Sequence, residues 1–325
     1  MKSLTKNTQT HAQIERLVAH AFPETGIADD EQAVLELKEG WFNAAYQIRL
    51  RGGRQVVLKI APPPGADVMQ YERHIMFTEV AAMRRVRAVP GIPVPEIYAF
   101  DDSLTLCDAP YFFMAHVEGQ TLDQLEDTLS AAELAALHRK TGAVIRAVNQ
   151  IEGPYFGYDG NPALRADTWR EAFTRIFEAV LEDAERKGFA YDFTPDELRA
   201  ALNRHASALE EVTAPRLVHW DAWNPNFFAR DGEIVGLIDF ERALWAEPLM
   251  EAQFRPLFGE GVTPPMEGYG QTTFTPAEEQ RMHLYTLHLA LVMHTECAYR
   301  QYDTDEIFNF SRDLIRREMA WLTAD

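Results

Sequence analysis

The chain of 325 residues contains only two cysteines, Cys107 and Cys297. They lie far apart, and neither has the Cys or His spacing of a metal site. A disulfide framework and a structural zinc site are therefore excluded, and both read as free thiols of a reducing compartment. Long apolar runs are also lacking. The start, MKSLTKNTQTHAQIERL, has no apolar core of signal-peptide length and no later segment approaches a membrane span, so the expectation is a cytoplasmic protein without a membrane partner. Positive charge is scarce: 31 Lys and Arg stand against 50 Asp and Glu, a net charge of −19. Such a balance argues against nucleic acid as a partner, because phosphate backbones are bound by clustered cations. Neither a G-x-G-x-x-G stretch, a repeat nor a low-complexity tract is present.

What remains is ordinary globular composition, 46% apolar and 25% charged, at a length that accommodates two domains. The charge is uneven. Up to Gly119 there are 12 Lys and Arg against 15 Asp and Glu, so nearly all of the negative excess falls in the remainder. Acidic helix faces that keep the protein dispersed explain this, and attraction of a cationic substrate is the alternative.

The local pattern changes at the same place. Residues 8–21 form an amphipathic helical stripe through Ile14, Leu17, Val18 and Ala21. Alternating runs at 33–39 and 46–50 and an apolar run at 55–60, the last two separated by Gly52-Gly53, predict three antiparallel strands. A Pro-rich loop then leads to a helix over 69–87, stopped by Pro90, Pro93 and Pro95. Two further strands are expected at 96–101 and 110–117. Beyond Glu118-Gly119, helix starts dominate. Ser130/Glu133, Thr194/Glu197 and Thr275/Glu278 fit capping boxes, the last two with Pro at the first helical position. The expected architecture is α+β: a five-stranded antiparallel lobe with one crossing helix (1–117), a hinge near 115–121, and a larger, mainly helical lobe (118–325). A cleft between two such lobes is a natural ligand site.

One stretch of the helical half breaks the pattern: LVHWDAWNPNFFARDGEIVGLIDFE, residues 217–241. It holds His219-x-Asp221-x-x-x-x-Asn226 and then Ile238-Asp239-Phe240. Strand-like runs at 226–229 and 233–239 flank Asp231-Gly232, a strong signal for a two-residue hairpin turn. Counting from that turn pairs Arg230 with Glu233, Phe228 with Val235 and Asn226 with Leu237. Side-chain alternation then puts Asn226 and Asp239 on one face. An amide oxygen and a carboxylate on a rigid hairpin suit Mg²⁺, a hard cation that takes few protein ligands.

This order of parts resembles the aminoglycoside phosphotransferase-like family of small-molecule kinases, over about 34–321 and most closely over 217–254. The resemblance implies the two-lobed protein-kinase-like fold and transfer of the γ-phosphate of ATP (or GTP) to a hydroxyl of a small molecule. It implies Asp221 as catalytic base, Asn226 and Asp239 as Mg²⁺ ligands, and His219 as the structural histidine of the catalytic loop. Lys59, in Val-Val-Leu-Lys-Ile, falls on the nucleotide-binding lysine. A lysine in an apolar strand needs a charged partner, and Glu79 on the following helix is expected to supply it, with Glu72 the alternative. Asn43, in the loop 40–45, would lie over the phosphates. Met114 and His116, in the lobe-joining segment, would meet the adenine. Glu241 and Glu247 are candidate contacts to a cationic substrate, and Glu251 falls near the family's loop-anchoring acid. Trp220 departs from the family, which most often has Gly there. A protein kinase is disfavoured, because Ala246-Glu247-Pro248 follows Asp239 too closely to leave an activation segment. The substrate is open among aminoglycosides or other antibiotics and choline, homoserine, sugars or fructosamines. The competing class is a non-catalytic nucleotide-binding protein of the same fold.

Overall fold

A computed structural model describes residues 6–38, 42–255, 257 and 261–324. The chain divides into two compact units, one formed by 1–67 with 83–118 and the other by 68–82 with 119–325. The first unit opens with helix α1 (His11–Ala21). Its start is a full capping box: Thr10 receives the Gln13 amide while Gln13 reaches back to Thr10. Strands β1 (Val34–Leu37), β2 (Ala44–Arg49), β3 (Gln55–Ile60), β4 (Ile97–Asp101) and β5 (Tyr111–Ala115) follow. They form one antiparallel sheet in the order β1-β2-β3-β5-β4. In β3 every residue after Gln55 is buried, which is why the strand reads as an apolar run rather than an alternation. Leu58 opposes Phe113, and Phe113 meets Phe22 at the end of α1 with ring centroids 5.3 Å apart. Lys59 points to the opposite face with Phe112.

Helix α2 (Ile75–Arg87) is shorter than the predicted 69–87. A 3₁₀ turn at Gln70–Glu72 precedes it, and the two are separated at His74, whose φ of 53° lies in the left-handed region. That break lets 68–82 anchor within the second unit. The Gln70 amide donates to Asp183 (2.7 Å), Arg186 donates to the Val68 carbonyl (2.9 Å), and Asn161 donates to the Gln70 carbonyl (2.8 Å). Gly160 donates its amide to Thr78 Oγ1 (2.9 Å), an approach so close that a Cβ there would meet that hydroxyl at 2.6 Å.

The rest of the second unit is mainly helical: α3 (Leu122–Leu125), α4 (Ala131–Val148), α5 (Trp169–Arg186), α6 (Pro195–Arg204), α7 (Ala206–Leu209), α8 (Pro264–Tyr269), α9 (Pro276–Arg300) and α10 (Glu306–Thr323). The capping boxes at Ser130, Thr194 and Thr275 are formed as expected. Its core joins α5 to α9 through Trp169, Phe173, Phe177 and Tyr285, all buried. The hairpin 226–239 is not the sole β structure here. Strand β6 (Gln120–Thr121) pairs with β8 (Phe227–Arg230), which pairs with β9 (Glu233–Leu237), and β7 (Arg216–Val218) pairs with β10 (Leu244–Ala246). Strands of two or three residues are too short to show an alternation, which is why the sequence pattern missed them.

The hairpin turn is as expected: Asp231 (φ 52°) and Gly232 (φ 74°) both take the left-handed conformation of a type I′ turn. The predicted register holds only next to it. Arg230 opposes Glu233, but Phe228 opposes Gly236 and Phe227 opposes Leu237, because β9 carries one extra residue at a bulge beside Val235. Gly236 was the available signal, since glycine inside a strand often marks a bulge. Open space surrounds Gly232, so the cost of replacing it is conformational alone. Gly232→Ala is expected to lower stability by about 1 kcal/mol, read as a lower urea midpoint at unchanged slope.

Candidate functional site

The bulge changes how the motif residues are brought together. Asn226 lies in a 3₁₀ turn (Asn224–Asn226) just before β8, and its carbonyl accepts the Ile238 amide (3.1 Å). Asp239 follows β9 in the left-handed region (φ 68°, ψ 53°), which a short polar residue tolerates better than most. The backbone turn at Asp239, and not strand alternation, sets the direction of its carboxylate. Buried Asn226 donates Nδ2 to the Asp221 carbonyl (2.8 Å). This fixes the amide and leaves Oδ1 as the oxygen for a hard cation.

Asp239 has company. Carboxylate oxygens of Glu79, Asp239 and Glu241 all lie within 4.8 Å of one another. Glu79 is fully buried and belongs to the part of α2 that packs with the second unit. Glu72, the alternative partner for Lys59, is committed elsewhere: it pairs with Arg300 and accepts the Met69 amide (2.8 Å). Three carboxylates at this spacing can offer oxygens to a hard cation such as Mg²⁺, which takes only one or two of them and keeps its other positions for water or phosphate.

His219 joins the two ends of the motif. Its Nε2 meets the Ile238 carbonyl at 2.9 Å, and its ring lies 4.3 Å from that of Phe240, so it grips the residues on both sides of Asp239. Glu251 holds the other side of the loop. Its carboxylate is fully buried and accepts three N–H groups: His219 (2.8 Å), Trp220 (3.1 Å) and Asn149 Nδ2 (2.9 Å). Trp220 sits in the left-handed region (φ 68°), where glycine is the easy occupant, and its indole is buried rather than lining a substrate surface. Asp221 follows it and is half-buried.

Glu247, expected as a substrate contact, is not available. It is buried, and Arg281 holds both of its oxygens (3.0 and 2.9 Å) while Tyr285 donates to it as well. In the first unit, Lys59 is buried with its Nζ 5.9 Å from the Phe112 ring centroid. Asn43 is buried immediately before β2, and Gly40 and Trp41 lie outside the described residues. Met114 lies within β5, paired with Val57 and Ile97, and half-buried His116 follows that strand with burial lowering its pKa.

With this geometry in hand, comparison with known proteins is decisive at the family level. The model of the phosphotransferase enzyme family (APH) matches residues 33–254, about two thirds of the chain. The chain belongs to the phosphotransferase enzyme family. Hygromycin-B 4-O-kinase of Escherichia coli is 24% identical over 261 residues, covering 76% of this chain and 67% of that protein. A subtelomeric hrmA-associated cluster protein of Aspergillus fumigatus is 31% identical over 125 residues; that match covers 38% of this chain and spans about a quarter (24%) of the fungal protein. Among solved structures, a thermostable mutant of aminoglycoside phosphotransferase APH(4)-Ia in ternary complex with ADP and hygromycin B superposes with a TM-score of 0.67 at 16% identity, covering 96% of this chain and 99% of that one. The streptomycin-ATP-APH(2")-IIa ternary complex gives 0.60 at 16% identity, covering 96% and 99%. At that identity these likenesses establish the kinase-like fold alone. Among the described residues, no helix is long and apolar enough to cross a membrane.

Beneath the loop 219–226 of this phosphotransferase-family chain lies a polar interior that motif reading missed. Tyr71 donates to Glu296 (2.6 Å), which also pairs with Arg242 (2.7 Å). Burial raises the Tyr71 pKa well above the ordinary tyrosine value. His288 packs 5.7 Å from the Trp220 ring, buried, with neither ring nitrogen hydrogen-bonded. Lone buried polar residues on helices carry no spacing signal, so no pattern marked them. Burial, with Arg255 adding repulsion, pushes the His288 imidazole down to about 3. The unfolded chain then binds a proton that the folded one refuses, so stability falls as pH drops from about 6.5 toward 3, by up to about 1.4 kcal/mol per pH unit. His288→Phe is expected to flatten that limb of the stability–pH curve in urea titrations.

Proposed function

We propose that this chain is an ATP- and Mg²⁺-dependent O-phosphotransferase acting on a hydroxyl of a small molecule, with Asp221 as its base. The observation that carries this reading is the convergence of Asp239, Glu241 and Glu79 within 4.8 Å, in the same compact unit as Asp221 on its anchored loop. A non-catalytic relative has no need of the base, the anchor and the acidic cluster together.

In this reading Asp221 orients the acceptor hydroxyl and takes its proton as the phosphoryl group moves. The transition state is loose, so positioning and charge neutralisation dominate. Asn226 and Asp239 would hold Mg²⁺, with Glu241 and Glu79 beside them. When bound, the ion would neutralise phosphate charge. Lys59 is the proposed ligand of the α- and β-phosphates within the first unit. Trp223, two residues after Asp221 and 57% exposed, offers a flat apolar face to a sugar ring. With the acidic charge of the second half, this favours an amino sugar as acceptor, in keeping with the hygromycin B and streptomycin named for the relatives.

A thermal-shift screen with Mg-ATP and Mg-GTP, followed by phosphate-transfer assays on hygromycin B, other aminoglycosides, choline, homoserine and sugars, tests the assignment. Transfer to choline or homoserine and to no aminoglycoside overturns the amino-sugar reading. Asp221→Asn is expected to lower turnover by about a hundredfold or more while Mg-ATP still raises the melting temperature. Wild-type turnover in that variant overturns the base assignment.

A further inference from the structure

The peptide that delivers Asp221 is held from two sides, and only one of the holders was anticipated. Glu251 takes the His219 and Trp220 amides. The Trp220 carbonyl, which belongs to the peptide bond leading into Asp221, is taken by Arg255, which also donates to the Met250 carbonyl (3.0 Å). The guanidinium carbon of Arg255 lies 5.4 Å from the Trp220 ring centroid, and that of Arg242 lies at the same distance. Among the described residues, no carboxylate comes within ion-pair distance of Arg255, whose Nε is buried without a hydrogen-bond partner. The opposing charges that act on it are Asp221 and Glu251.

We propose that Arg255 is a positioning residue for phosphoryl transfer: it clamps the Trp220 peptide and packs over the Trp220 indole, and so fixes where Asp221 meets the acceptor. The inference rests on the reading of Asp221 as the base. Three observations carry it. First, Trp220 occupies a left-handed conformation that is strained for an L-residue, so the loop needs an outside hold to keep it. Second, a guanidinium is costly to desolvate even in part without a carboxylate partner, and a simple packing role for half-buried Arg255 would be served at least as well by an apolar side chain. Third, the bond goes to the peptide that precedes Asp221, whose rotation would swing the Asp221 backbone, while Asn226 holds the carbonyl of the peptide that follows. Trp220 supplies the flat surface that this cation packs on, which gives the departure from glycine at this position a purpose.

The test compares Arg255→Lys and Arg255→Met with wild type and with Asp221→Asn, using Mg-ATP with the best acceptor from the screen, or hydrolysis of Mg-ATP alone. Arg255→Met is expected to lower kcat about ten- to a hundredfold, leaving KM for Mg-ATP within about twofold. Arg255→Lys, which keeps the charge and a donor, is expected to recover part of the loss. A companion measurement needs no turnover: amide hydrogen exchange over 217–226 should quicken in Arg255→Met while the core helix α9 stays protected. The proposal is overturned if Arg255→Met is less stable but keeps wild-type kcat and wild-type exchange over 217–226. It is equally overturned if KM for Mg-ATP rises in step with the loss of kcat, or if Arg255→Lys is as impaired as Arg255→Met. Failure of the underlying reading looks different: Asp221→Asn itself would turn over normally, whatever the Arg255 variants do.

Discussion

Glu251 is a carboxylate with no access to water, and three N–H groups take the place of its hydration. Leaving any of these groups unpaired in the interior costs on the order of 1–3 kcal/mol, so the acid and the loop hold one another in place. From that contact the rest of the site follows. The His219 and Trp220 amides are turned toward Glu251, which requires the left-handed backbone at Trp220 and sets the exit direction of the chain at Asp221. The His219 ring is thereby free to reach the Ile238 carbonyl and to fix the turn at Asp239. Asp221 and the turn at Asp239 are tied together by one histidine whose own backbone is held by one glutamate.

A second constraint concerns α2. Its first half packs with the second unit because the 3₁₀ turn before it is tied down by Asp183, Arg186 and Asn161, and because Thr78 receives the Gly160 amide. Buried charges reinforce this: Glu72 pairs with Arg300, and Tyr71 shares Glu296 with Arg242. Buried pairs of this kind add little net stability, but losing one partner is expensive, so they fix geometry more than they strengthen it. Glu79 is thus carried with Asp239 as part of one body, and the acidic cluster is built into the packing of the second unit.

Much of this was legible in the sequence, and the legible parts share a property: they depend on neighbours a few residues away. Capping boxes at Ser130, Thr194 and Thr275, the type I′ turn at Asp231-Gly232 and the five strands of the first unit all arise from local backbone preference and short periodicity. The spacing of His219, Asp221, Asn226 and Asp239 is likewise local, and it carried the family. Errors came where one residue altered the count. The bulge beside Val235 shifted the hairpin register, and the left-handed residue His74 cut a helix that the apolar pattern ran straight through. Glu247 looked like a free carboxylate because its partners, Arg281 and Tyr285, lie more than thirty residues away in sequence.

By itself the sequence determined the order of the main elements and the residue types available for phosphoryl transfer, because each is written in spacing, capping and composition; that 68–82 joins the second unit was not written there. Only the tertiary structure decided which of the many carboxylates are engaged and which converge. Glu72, Glu247 and Glu251 are held by buried cations or amides, whereas Glu79 and Glu241 join Asp239. The assignment turns on long-range contacts, and sequence spacing carries no record of those. The same holds for Arg255 and Trp220: an arginine and a tryptophan thirty-five residues apart become one clamp only when the chain between them has folded back.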